Sequence, residues 1–130
     1  MKTIQGPFEV KSTPLATNDV LKKMGAVSMM FEKEFHGALE GKSVVSMSGI
    51  MNKEFGSGGY VALELVEGTI EGKSGSFILQ HSSLMNRGKD EQKIVVVPDS
   101  GSKELSGLEG EMKIEIKEGG KHFYTFTYRF

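Results

Sequence analysis

The run YVALELVEGTIEGKSGSFILQHSS, residues 60–83, alternates apolar and polar side chains on both sides of a Glu71-Gly72-Lys73 centre. Period-two alternation sends successive side chains to opposite faces of a strand, and a glycine between two such runs marks a tight hairpin. If the connection has two residues, Glu71-Gly72 or Gly72-Lys73, opposite residues share a face, and Ala62, Glu64, Val66, Phe77, Leu79 and His81 lie together on the inner side. Leu63, Leu65, Glu67, Ile78, Gln80 and Ser82 then fall on the other side, which is polar near the turn and suits the outside. An odd-length loop would put Gln80 on the face of Glu64 in place of His81, because a one-residue slip flips every side chain.

The same alternation recurs along the chain. Eight strands are expected near residues 6–12, 26–38, 41–51, 59–71, 74–85, 92–97, 111–117 and 122–130, most clearly in EMKIEIK and HFYTFTYRF. Helix has room only at 13–25, where Asn18 and Asp19 can cap, and as a single turn around Leu105 and Leu108 within 100–110. Residues 86–92, NRGKDEQ, read as a charged hairpin loop. Many alternating strands joined by short turns can close on themselves and remove their edges, so the expected fold is all-β, a closed antiparallel eight-stranded barrel in which residues 100–110 cap one end.

GALEGKS at 37–43 and GTIEGKS at 68–74 share one frame and both read as tight hairpins. Applied to the first copy, that frame puts Phe31, Lys33, Phe35, Ser46, Ser48 and Ile50 inside, with Glu32, Glu34 and His36 outside.

With 130 residues the chain has the size of one domain, 1–130, and can bury a core without staples. Lys plus Arg number 16 against 17 Asp plus Glu, so no broad positive field exists to hold nucleic acid. There are no cysteines, which excludes disulfides, thiolate metal sites and cysteine nucleophiles. The start, MKTIQGPFEV, carries no apolar leader and no run is long enough to span a bilayer, so a cytoplasmic, non-membrane protein is expected.

Glu64 with His81 is the sharpest chemical pairing. On adjacent strands the two can hydrogen-bond, and burial would move their pKa values toward those useful in proton transfer. Lys33, on the same inner face, offers instead an ion pair that neutralises a buried charge. Tyr124, Phe126, Tyr128 and Phe130, spaced at two in HFYTFTYRF, would share one face and line an apolar wall, and Lys33, Phe77, Tyr124 and Tyr128 form the expected ligand-binding set. The Gly-Lys-Ser sequences lack the spacing and the following helix of a phosphate loop, and three scattered histidines imply no metal or cofactor.

The combination GTIEGKSGSFILQHSS, VVVPDSGSKELSGLEGE and HFYTFTYRF resembles a bacterial family of unknown function whose barrel is grouped with allene oxide cyclase. The resemblance covers residues 6–130 and rests on Gly72, Ser74, Gly75, Phe77, Gln80, His81, Ser100, Gly101, Leu105, Gly107 and Gly110. It implies a small antiparallel eight-stranded barrel of a kind that is often oligomeric, and it carries no established activity to named residues. Three functional readings follow: a module binding a small hydrophobic molecule in its interior, a cyclase or isomerase using Glu64 and His81, and a purely structural self-associating module. The outward apolar stripe of Leu63, Leu65 and Ile78 points to a homodimer.

Overall fold

The computed structural model describes all 130 residues. Its strands are β1 (Lys2–Leu15), β2 (Val27–Phe35), β3 (Leu39–Asn52), β4 (Ser57–Ile70), β5 (Lys73–Asn86), β6 (Lys89–Val96), β7 (Glu109–Lys117) and β8 (Lys121–Arg129). They close in chain order into an antiparallel barrel, β8 returning to pair with β1. The connections after β2, β4 and β6 and both chain termini gather at one end. Those after β1, β3, β5 and β7 gather at the other. No helix is long and apolar enough to cross a membrane.

The hairpin at 60–83 has a two-residue connection, with Ile70 opposite Lys73 and Val66 opposite Phe77. Glu71 and Gly72 both take positive φ, 46° and 86°, the backbone of a turn whose twist matches that of its strands. Arg87 and Gly88 repeat this turn, with φ of 49° and 83°. The charged loop expected at 86–92 therefore shrinks to two residues, because Lys89–Gln92 pair with Ser83–Asn86. The first strand is also longer than expected, and α1 (Asp19–Lys23) is only five residues, capped by Asn18 Oδ1 accepting from Leu21 N at 2.9 Å.

The first hairpin departs from its echo. Phe35 faces Gly41 across residues 36–40, so Lys33 pairs with Ser43 and Phe31 with Val45. Ser43 and Val45 are thus the inward residues; Ser46 and Ser48 point outward, as does Ile50. In the copy at 37–43 the turn falls on Gly37, whereas in the copy at 68–74 it falls on Glu71-Gly72. The shared glycines have another use: Gly41 and Gly68 sit opposite each other in β3 and β4, where a Cβ on either would approach the neighbouring strand's carbonyl to 2.3 Å.

Beyond Ile78 the edge of β5 is taken over by the segment after β6. Val97 N donates to Ile78 O and Ser102 N to Ser76 O, each at 2.8 Å, and Ser100 Oγ and Ser102 Oγ accept from the amides of Ile78 and Ser76 at 3.0 Å. A single 3-10 turn, Lys103–Leu105, follows, and Leu105 and Leu108 are buried as a cap on this end requires. Here the barrel is filled. Phe77 stacks on Phe126 with centroids 5.8 Å apart, Phe126 on Tyr128 at 5.4 Å, and Phe35 meets Tyr124 edge-on at 5.6 Å.

Candidate functional site

Four consecutive strands each send one polar side chain to the waist of the barrel: Lys33, Ser43, Glu64 and His81. The Glu64 side chain is fully buried. Its Oε1 lies 2.7 Å from His81 Nε2 and 3.2 Å from Lys33 Nζ, and its Oε2 accepts from Ser43 Oγ at 2.5 Å. Lys33 Nζ also stands 5.2 Å from the centre of the Phe8 ring and 5.9 Å from that of Phe35. Burial on its own would raise the Glu64 pKa, but the His81 hydrogen bond, the Lys33 charge and the Ser43 hydroxyl together outweigh it and hold the carboxyl below its ordinary value. Glu64 is therefore ionised at neutral pH, and His81 Nε2 donates to it. No buried side-chain nitrogen or oxygen lacks a partner.

One step along the strands, the open end begins. Tyr60 and Ser83 face each other across β4 and β5, next to the Ala62–His81 pair, and Met47 stands opposite Ala62. A pocket of about 470 Å³ opens here between Met47, Gly49, Tyr60, Ser83, Met85 and Asp90, rimmed by Val27, Ile50, Met51 and Lys53. Ser83 Oγ donates to Asp90 Oδ1 at 2.9 Å. Burial raises the Tyr60 pKa; hydrogen bonds to Gln92 and Ser83 oppose this, and the Asp90 and Glu64 charges add to it. Tyr60 thus keeps its proton and presents a donor at the pocket wall. The wall beside it is thin: β6 and β7 share only the pairs Ile94–Met112 and Val95–Glu111, and past them Gln92 Oε1 accepts from Ile114 N at 3.0 Å.

The residues expected from sequence separate into two groups. Lys33, Glu64 and His81 meet at the waist. Phe77, Tyr124 and Tyr128 do not border the open pocket; they are buried in the filled end, and both hydroxyls serve the chain itself. Tyr124 Oη donates to His36 O at 2.8 Å and accepts from Leu39 N at 3.1 Å, locking the β2–β3 connection. Tyr128 Oη donates to the Glu71 carboxylate, which Lys2 Nζ also reaches at 3.0 Å. Burial and that carboxylate push the Tyr128 pKa up to about 12.

Sequence reasoning passed over Ser43, Tyr60, Ser83 and Asp90. Ser43 was hidden by the assumed two-residue turn in the first hairpin. Tyr60 and Ser83 were legible, since each continues the inward alternation of Glu64 and His81 by even steps.

The fold and site define a closed eight-stranded antiparallel barrel with a buried ionic network at its waist and a pocket at one end. Residues 4–128 match the family described as protein of unknown function, DUF3224, and the chain belongs to that family. It is similar to the crystal structure of a protein of unknown function from the DUF3224 family of Shewanella oneidensis MR-1, at 41% identity and a TM-score of 0.91, over 100% of this chain and 97% of that one. No curated protein matches the sequence.

Proposed function

We propose that this barrel binds a small, largely apolar molecule in the pocket at its open end. One observation carries the reading: of the two ends of one barrel, the first is packed with aromatic side chains, while the second leaves about 470 Å³ walled by methionines and a few polar groups. That volume lies within the range of small-molecule sites, as does the mixture of apolar wall and few polar groups. Tyr60 supplies a donor, Asp90 and Ser83 supply acceptors, and the flexible thioethers of Met47, Met51 and Met85 adapt to an irregular ligand.

Cyclase or isomerase chemistry through Glu64 and His81 is the weaker reading. The Glu64 oxygens are already engaged by three partners, and the carboxyl is held away from the pKa of a base poised near neutrality. The waist network suits a structural role, fixing the order of four strands beneath the pocket.

The test is native mass spectrometry of protein purified without denaturation, beside titration with the apolar fluorophore anilinonaphthalene sulfonate. A retained small molecule or saturable one-site fluorophore binding is expected, lost in Ser83→Trp and in Met85→Trp, which fill the pocket from two sides. Absence of both in the wild type, or binding unchanged in the two filled variants, would refute the proposal.

A further inference from the structure

The outer surface of the barrel is divided by charge. Every outward position of β7 is charged: Glu109, Glu111, Lys113, Glu115 and Lys117. On the far side, every outward position from Val44 to Ser48 on β3, Gly59 to Leu65 on β4 and Ile78 to Leu84 on β5 is uncharged, although 25% of the chain is Asp, Glu, Lys or Arg. Val44, Val61, Leu63, Leu65 and Leu84 stand 48, 61, 56, 38 and 61% exposed there. Thr3, Gln5, Pro7, Phe123, Thr125 and Thr127 leave part of the outer face of β1 and β8 uncharged too, but only the β3–β5 face joins missing charge to a run of exposed valines and leucines, the composition of an interface core.

We propose that this face of β3, β4 and β5 is a homotypic interface, covered by the same face of a second copy of the chain. The area fits: the five apolar residues expose on the order of 500 Å², and with Ser46, Gln80 and Ser82 between them the face approaches the ~800 Å² that each partner contributes to a standard interface. The chemistry is self-complementary. Hydroxyl and amide groups alternate with valines and leucines, each polar group both donates and accepts, and no like charges meet at the centre. The flanks add orientation. Glu32 and Glu34 of β2, outnumbering the Lys42 opposite Glu34, border one side of the face, and Lys89 and Lys93 of β6, outnumbering Glu91, border the other. A two-fold axis running along the strands lays each acidic flank over the partner's basic one, whereas an axis across the strands would set acidic against acidic.

The proposal concerns the outer face of the wall, which meets the pocket only at Gly59, and does not depend on ligand binding. Sedimentation velocity at micromolar concentration tests it, on the wild type, Leu63→Glu, the milder Val61→Thr/Leu63→Gln pair, and Glu111→Lys on the charged side. The wild type and Glu111→Lys should sediment as dimers. Leu63→Glu should weaken association by about a hundredfold or more through like charges near the axis, with the milder pair intermediate, and both variants should keep the wild-type circular dichroism. A monomeric wild type, or dimers that persist through both face variants, would overturn the proposal.

Discussion

The two ends of this barrel are built from the same eight strands with the same alternation, yet one is solid and the other is open. At the filled end the inward positions carry Phe35, Phe77, Tyr124 and Phe126, all fully buried, and Leu105 and Leu108 close the last gap. At the open end the equivalent positions carry Met47, Gly49, Tyr60 and Ser83. Backbone geometry fixes the diameter of an eight-stranded barrel so that side chains just fill it, and the volume of the inward residues decides whether space is left for a ligand. The waist between the ends is polar, and there order depends on ion pairing instead of volume.

Truncation at the two ends should therefore be unequal. Phe126→Ala removes a ring stacked between Phe77 and Tyr128 and should cost about 3–5 kcal/mol in chemical denaturation, whereas Met47→Ala, beside existing space, should cost about 1 kcal/mol. Equal costs would break the comparison.

Lys33→Met tests the waist. It leaves the buried Glu64 carboxylate without its cation, and the expected loss at neutral pH is about 3 kcal/mol. The pH dependence gives a second readout. The folded Glu64 pKa lies below its unfolded value, so its contribution is present above the ordinary carboxylate range and is lost as pH falls through the folded pKa. Removing Lys33 raises the folded pKa, and the acid limb of the stability curve should become shallower.

Tyr128 sharpens the contrast from the filled end. Its folded pKa of about 12 exceeds the ordinary tyrosine value, so its contribution is fully present below about pH 10 and fades as pH rises toward 12. Tyr128→Phe should flatten that alkaline limb, measured by urea midpoints between pH 9 and about pH 11. The smallest effect on stability belongs to the open end: Tyr60→Phe should change it by no more than about 0.5 kcal/mol. Fluorophore affinity should nevertheless fall about fivefold, the worth of one neutral hydrogen bond.

The strands and their closure were legible because alternation is a direct imprint of one-sided burial, and the hairpin at 60–83 was legible because Glu71-Gly72 can adopt the twist its strands require. Its register brought Glu64 and His81 to one face, and Lys33 followed from its own strand. The repeat misled. Two segments with the same letters place their turns at different positions, since Gly41 is selected for close strand approach and Gly72 for positive φ, and sequence similarity does not distinguish those demands. The ligand-binding set was read from the aromatic strand, yet in a closed barrel height along the axis separates filler from pocket wall. Alternation reports which face a residue occupies and not that height.

The eight methionines offer the most direct test of the account, because they sample both ends. Met47, Met51 and Met85 line the open pocket, whereas Met112 is buried in the core. With the methionine methyl groups carbon-13 labelled, titration with anilinonaphthalene sulfonate should shift the resonances of Met47, Met51 and Met85 and leave Met112 in place. Shifts centred on Met112, or none at the three pocket methionines under saturating fluorophore, would contradict a ligand site at the open end.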